Sequence, residues 1–455
     1  MAMRIINEKY INSLLAKEKA PSEKSALAVI RKALRRKGLS LEEAAVLINA
    51  KGIEKKLFDA AARVKKEIYG ERVVFFAPLY ASDYCVNDCK YCSFHVSNKL
   101  FTRKQLTMQD LRRQINILIN MGHKRTLLEF GEHPVKCNID YVIDVINTIY
   151  SVKNPKGNIR RINVNIAPTT VKNYRRLKKA NIGTYQLFQE TYHRPTYKKL
   201  HKGLKRNYNR QITAHIKAFK AGIDDFGIGV LFGLYDWRFE VLSLVSHAQY
   251  LDKNLGVGPH TISVPRFRPA PTVNYRPEYP VSDKDFLKII AILRLSVPYT
   301  GMILSTRETP AIRRAAFKIG ISQASAASVT SVGGYGIKRK EKQFRISDER
   351  PLGEVIMSLL DDNMLPSFCT ACYRLGRTGH DFMDMAKPGD IQNFCRPNGL
   401  MTFAEYLEDF AVGSVYRKGY KVIKHYLNQI KDKSVRNKTK ERLLRIKQGI
   451  RDLYF

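Results

Sequence analysis

The stretch "RVVFFAPLYASDYCVNDCKYC" (residues 72–92) joins an apolar run to a loop carrying Cys85, Cys89 and Cys92. Its first part, 72–78, has the β-branched and aromatic content of a strand. The turn after a first strand decides between architectures. A doubly wound open sheet asks for a Gly-rich first turn, and here the turn is the cysteine loop. Downstream, seven more strand-like runs alternate with helical patterns: "RTLLEF" (125–130), "RINVNIA" (161–167), "TYQLFQE" (184–190), "FGIGVLF" (226–232), "HTISVPRF" (260–267), "GMILSTR" (301–307) and "ISQASA" (321–326). Amphipathic helices fit at 107–120, 139–150, 169–180, 209–221, 237–250, 283–295 and 309–318. The expectation is an α/β fold of the (β/α)8 TIM-barrel type, with the doubly wound sheet as the alternative.

The flanks differ from the barrel. Residues 1–70 read as helices, and Ser40 with Glu43 has capping-box spacing. The barrel is expected over 71–330. "TSVGGYGIKRKEKQF" (330–344) reads as a linker into a mostly helical region, 331–455, which holds a second cysteine group.

Composition bounds the function. The chain of 455 residues is 44% apolar and 26% charged, a globular balance. No apolar run approaches the roughly 18–20 residues of a membrane span. The first residues resemble neither a secretory signal nor a clear transit peptide, so the cytoplasm is expected, with an organellar matrix as the other option. The net charge of +38 admits nucleic acid. Its bases are scattered over helix faces and not interleaved with aromatics, so specific nucleic-acid binding is not expected.

Six of the seven cysteines fall in two tight groups, which points to metal ligands before disulfides. The seventh, Cys137, reads as a small buried hydrophobe. Cys85, Cys89 and Cys92 follow the first barrel strand, at the end where this fold keeps its active sites. A zinc knuckle completed by His95 is one reading. The other is a 4Fe–4S cluster held by three thiolates, its fourth iron open to a small ligand. Cys369, Cys372 and Cys395 repeat the three-thiolate theme; a zinc site borrowing His380 is the bland alternative. His260, at the beginning of the sixth strand, faces the opposite end of a parallel barrel and reaches the second group if the C-terminal region caps that end. Gly131-Glu132, Gln189-Glu190, and Ser305 with Arg307 stand at strand ends as candidate cofactor or substrate contacts. Arg307 offers a fork for a carboxylate, or else an ion pair with Glu308.

The spacing of the first triad, with Tyr91 before its last cysteine, is that of the radical S-adenosylmethionine (SAM) superfamily. Along almost its whole length the chain resembles the tyrosine lyases of that superfamily, through "GHKRTLLEFGEHPV", "NVNIAP", "IGTYQLFQETYHRPTYKKLH", "GVGPHTISVPRFRPA", "TGMILSTRETP" and "PSFCTACYRLGRTGHDFMDMAKPGDIQNFC". The resemblance implies a SAM-binding 4Fe–4S cluster on Cys85, Cys89 and Cys92. It implies an auxiliary 4Fe–4S cluster on Cys369, Cys372 and Cys395, with an extra labile iron held by His260. Tyr91 packs near the adenine, and Gly131 and Glu132 receive the SAM ammonium. Arg307 holds the carboxylate of L-tyrosine. The implied reaction breaks the Cα–Cβ bond to give p-cresol and dehydroglycine, then carbon monoxide and cyanide as iron ligands for FeFe-hydrogenase assembly. The implied partners are an electron donor such as ferredoxin or flavodoxin and other hydrogenase maturation proteins. Two further readings stand beside this one: an aromatic amino acid lyase whose auxiliary cluster only carries electrons, and a zinc and nucleic-acid-binding protein.

Overall fold

A computed structural model describes residues 5–337 and 339–455. Residues 1–4 of the expected N-terminal segment and Lys338 of the expected linker lie outside the described residues. Four helices lead in: α1 (Glu8–Lys17), α2 (Glu23–Ala33), α3 (Leu41–Asn49) and α4 (Glu54–Tyr69). The Ser40–Glu43 capping box forms at the start of α3, each side chain satisfying the other's backbone N–H.

Eight parallel strands and their helices follow. In order these are β1 (Arg72–Ser82), α5 (Met108–Asn120), β2 (Arg125–Phe130), α6 (Ile139–Ser151), β3 (Arg161–Asn165), α7 (Val171–Lys179) and β4 (Tyr185–Gln186). Then come α8 (Arg194–Leu200), α9 (Tyr208–Ile212), α10 (Ala214–Lys220), β5 (Phe226–Gly229), α11 (Trp237–Leu255), β6 (Thr261–Ser263), α12 (Asp283–Ser296), β7 (Gly301–Leu304), α13 (Pro310–Ile319) and β8 (Gln323–Ser325). Each strand pairs in parallel with the next, and β1 pairs with both β2 and β8. The sheet therefore closes on itself and leaves no edge. This is the expected barrel and excludes the doubly wound alternative.

The C-terminal region comprises α14 (Leu352–Asp361), β9 (Leu365–Ser367), α15 (Ala371–Arg374), α16 (Gly379–Ala386), α17 (Gln392–Phe410), α18 (Gly413–Asn428) and α19 (Lys433–Lys447). Sequence patterning misses β9, a three-residue strand. It pairs with Arg72–Val74, the first residues of β1, while β2 pairs further along with Ala77–Ser82. The C-terminal region is thus sewn to the end of the barrel where strands begin. β1 has 11 residues, against the seven expected. At ~3.3 Å per residue it runs roughly 33 Å and links both ends of the barrel.

The segment 330–344 is not a free linker. Thr330 Oγ1 donates to Phe344 O (2.9 Å), and Gln343 N donates to Thr330 O (2.9 Å). Ser347 N reaches Thr306 O beyond β7, and the buried pair Arg313–Asp348 (2.8 Å) anchors the return. The segment crosses the mouth where the strands end. No helix among the described residues is long and apolar enough to cross a membrane.

Candidate active site: two thiol triads at opposite ends of one barrel

The first triad sits in the loop after β1. Its backbone is fixed from both sides: Lys90 N donates to Leu200 O (3.0 Å) and Val86 N to Glu132 O (2.8 Å). Gly131 is required here. A Cβ on it would lie 2.2 Å from Tyr84 O, so only glycine lets the end of β2 approach the cysteine loop this closely. Tyr91 is locked by His201. The His201 Nδ1 faces the Tyr197 carbonyl (2.8 Å), which only accepts, so Nδ1 carries the proton and Nε2 accepts from the Tyr91 hydroxyl (2.8 Å).

These groups face a cavity of about 220 Å³ inside the upper barrel. Along each strand alternate residues point inward. Cys85, Cys89, Tyr91, Cys92, Gly131, Glu132, Glu190, Ser305 and Arg307 all line the cavity. Gln189 is not among the lining residues. Of that stretch Gln186, Leu187, Phe188 and Glu190 line the cavity, while Gln189 is buried outside its lining.

Charges around the cavity are mostly paired. Glu132 is held by Arg210 (2.5 Å) and Asn87 (2.6 Å), and Glu190 by Lys205 (2.7 Å). Burial alone would lower Lys205, but Glu190 and Cys89 overrule it and keep it protonated. Glu308, offered above as a partner for Arg307, is occupied by Arg266 and Arg268 instead. Arg307 has no carboxylate partner among the described residues; its guanidinium lies 3.3 Å from the Phe344 ring centre. Burial lowers its pKa, against the pull of Tyr80, Glu190 and Cys92.

Sequence reading missed three features. Glu129 faces the cavity beside Asn165, whose Nδ2 donates to Oε2 (2.9 Å). Burial and then Glu190 push its carboxyl up to about 8. Lys205 was hidden in a basic run. Gln343 of the crossing segment bridges Tyr80 OH (2.8 Å) and Cys92 Sγ (3.9 Å). The two-residue period of β2, with Leu127 inward, was the signal for Glu129.

The second triad lies at the other end. Cys369 follows β9, Cys372 is in α15 and Cys395 in α17. Arg72, the first residue of β1, donates from Nη2 to Cys395 Sγ (3.2 Å). His260, just before β6, stacks on Phe382 of α16 (3.8 Å between ring centres) and on Tyr373 (5.5 Å). Its Nδ1 lies 3.0 Å from Asp225 Oδ2, though poorly aligned for a hydrogen bond. The C-terminal region caps the lower mouth, so His260 and the second triad share one end.

The donor chemistry fits iron–sulfur clusters. Burial raises Cys89 well above the ordinary thiol range and Cys92 to about 11. Burial, then Cys395 and Cys369, push Cys372 to about 12. Crowded buried thiols stay protonated until a cationic centre enters and takes them as thiolates. Among the described residues no trio of His, Cys, Asp or Glu converges where a single metal ion would sit.

Residues 79–243 match the radical SAM superfamily, and residues 263–365 match the Biotin and Thiamin Synthesis associated domain. The 2-iminoacetate synthases of Salmonella typhimurium and Escherichia coli are each 30% identical over 344 residues, covering 74% of this chain and 89% of theirs. A crystal structure of HydG, a maturase of the [FeFe]-hydrogenase, superposes with a TM-score of 0.96 at 52% identity, covering 99% of this chain and 100% of that one. HydG from Carboxydothermus hydrogenoformans gives 0.83 at 40% identity, with 96% of each chain covered. With likeness of this extent to both groups, the chain belongs to the HydG-type tyrosine lyases of the radical SAM superfamily.

Proposed function

We propose that this radical SAM lyase breaks the Cα–Cβ bond of L-tyrosine in the upper cavity, releasing p-cresol and dehydroglycine (2-iminoacetate). The second triad then works the fragment up to carbon monoxide and cyanide, iron ligands for FeFe-hydrogenase assembly. The observation that carries this reading is the pair of three-thiol groups at opposite ends of one closed barrel. Four-thiolate sites would be saturated; three-thiolate sites leave an iron open for chemistry.

When bound, the SAM cluster and SAM supply a 5′-deoxyadenosyl radical for hydrogen abstraction from tyrosine. The chain's residues do the rest. Arg307 takes the substrate carboxylate; it is the cavity's unpaired fork, and Phe344 stiffens it from above. Glu129 and Asn165 meet the amino group, with Glu129 exchanging a proton with it. Tyr91, fixed by His201, packs against the adenine, and Gly131 with the Glu190–Lys205 pair contacts the rest of SAM. The closed barrel keeps water from the radical. At the lower end Cys369, Cys372 and Cys395 would hold the auxiliary cluster and His260 the extra labile iron, with Asp225 Oδ2 lying 3.0 Å from the His260 Nδ1. The electron donor is a low-potential carrier such as ferredoxin or flavodoxin, and the iron product passes to other maturation proteins.

The test is the double variant Cys369→Ala with Cys372→Ala, assayed anaerobically with SAM, dithionite and tyrosine. SAM cleavage and p-cresol are expected to persist while carbon monoxide and cyanide disappear. Loss of all products together would refute the division of labour. Cresol from the parent chain with neither carbon monoxide nor cyanide would favour the electron-carrying alternative.

A further inference from the structure

One amide in the upper cavity has no partner. Five amide side chains line that cavity, and four are engaged. Asn87 donates to Glu132 (2.6 Å), Asn165 to Glu129 (2.9 Å) and Gln211 to Phe188 O (2.8 Å), while Gln343 accepts from Tyr80 OH (2.8 Å). The fifth is Gln186, the last residue of β4 and 1% exposed. Neither its Nε2 nor its Oε1 has a hydrogen-bond partner among the described residues. Ser263, the last residue of β6, also lines the cavity; it is 3% exposed and its Oγ is likewise unpartnered. Between them runs β5, Phe226-Gly227-Ile228-Gly229. Gly227 is what admits Gln186: a Cβ there would lie 2.6 Å from Gln186 Cγ and 2.7 Å from Thr261 Oγ1. Phe226 and Ile228 do not line the cavity, and the two glycines have no side chain to place between Gln186 and Ser263.

Both groups lie deep in the barrel. Ser263 pairs in register with Ile303, and Arg307 stands four residues beyond Ile303, roughly 13 Å of extended chain. Gln186 pairs with Gly227, and Gly227 with Thr261, two residues below Ser263. The wall beside them is apolar: Phe76, Leu127 and Ile303 form a small cluster apart from the main core, and all three line the cavity. A buried polar group without a partner is costly, so an open carboxamide and an open hydroxyl beside free volume are matched to a ligand group. From top to bottom the cavity offers a guanidinium, an apolar wall and a donor-and-acceptor pair. Tyrosine offers a carboxylate, a ring and a hydroxyl in the same order. Its hydroxyl both donates and accepts, so it gives its proton to Gln186 Oε1 and accepts from Ser263 Oγ.

We propose that Gln186 and Ser263 are the residues that determine specificity for tyrosine, by binding the phenol hydroxyl at the floor of the upper cavity. The proposal rests on the tyrosine lyase reading and deepens it by naming what separates tyrosine from other aromatic amino acids. Phenylalanine fills the same volume but leaves the carboxamide and the serine hydroxyl unpartnered in the closed complex, which is the strongest way for a pocket to reject an analogue of nearly equal size. With its carboxylate on Arg307 and its hydroxyl on Gln186, the substrate is held at both ends and its Cα–Cβ bond is fixed between them.

The test is equilibrium dialysis of radiolabelled L-tyrosine and L-phenylalanine against anaerobic holoenzyme with SAM and no reductant, so that binding is read without turnover. The parent is expected to bind tyrosine at least about a hundredfold tighter than phenylalanine. Gln186→Leu is expected to weaken tyrosine about ten- to a hundredfold and to leave phenylalanine no weaker, so that the ratio collapses. A merely structural role for Gln186 would weaken both amino acids alike, and an unchanged ratio in Gln186→Leu would overturn the proposal. If that variant does not fold, Ser263→Ala decides: a ratio reduced about tenfold supports the assignment, and an unchanged one overturns it. A parent that binds the two amino acids equally would also overturn the proposal while leaving the lyase reading in place. A parent that binds neither would refute the tyrosine reading itself, and the proposal with it.

Discussion

The two ends of the barrel start from the same donor set and differ in everything around it. At the upper end carboxylates meet cations one to one: Glu132 with Arg210, Glu190 with Lys205. Glu129 stays protonated near neutral pH, and Arg307 is left as a single free fork. Open volume adjoins these groups. At the lower end buried Arg72 donates to Cys395 Sγ (3.2 Å) and has no carboxylate partner among the described residues. A site with one unmatched cation and room beside it binds one anionic substrate in one orientation. A site with an unmatched cation against one of its own ligands changes the charge around whatever those ligands hold. Three thiolates therefore do not specify a function; their neighbours do.

The largest effect that would sharpen this contrast comes from the upper thiols. Cys92→Ala is expected to abolish SAM cleavage and every tyrosine product, with the lower cluster's iron retained; iron counts and product chromatography check it. Residual cresol formation would break the assignment of ends. Next in size is Arg307→Leu. A charge-assisted bond to a carboxylate is worth about 1.5–3 kcal/mol, so the tyrosine KM is expected to rise about ten- to a hundredfold with little change in the uncoupled cleavage of SAM. An unaltered KM would move the carboxylate site elsewhere in the cavity.

The barrel was legible because its signals are local. Eight β-rich runs separated by helix-length patterns, and a cysteine loop where a glycine turn would stand, need no tertiary information. The Ser40–Glu43 box is legible for the same reason. The features that escaped depend on partners far along the chain. The pairing of β9 with Arg72–Val74 joins residues almost 300 apart, and three residues make too short a run to show a period. The segment 330–344 has the glycines and charges of a linker, yet Gln343 and Phe344 are held by Tyr80 and Arg307, neither of them a neighbour in sequence. Gln189 shows the same limit: a polar residue at a strand end looks functional, and only the folded chain shows that Gln186, Leu187, Phe188 and Glu190 line the cavity and Gln189 does not. Arg72, inside the very stretch that identifies the fold, reads as an ordinary strand-edge charge until Cys395 is brought against it.

The smallest effect concerns Glu129, and its sign is fixed by linkage. The folded chain holds this proton to about pH 8, because burial and Glu190 outweigh Arg307 and Asn165, while the unfolded chain releases it near 4.5. Between those values the folded state binds more protons than the unfolded one. Stability from this site is full below about pH 4.5 and is lost as pH rises through about 8. Glu129→Gln keeps the shape and removes the proton. Urea denaturation of anaerobic holoenzyme at pH 5, 6, 7 and 8 is expected to give the variant a shallower decline, by up to about 1 kcal/mol per pH unit across that window. Equal slopes in the two proteins would mean that Glu129 is ionised throughout. The upper cavity would then hold an unmatched carboxylate beside its unmatched arginine, and it would no longer select an anion by charge. The contrast between a substrate pocket above and a cation set against a thiol below would fail at its upper half, whatever Arg72 does at the lower.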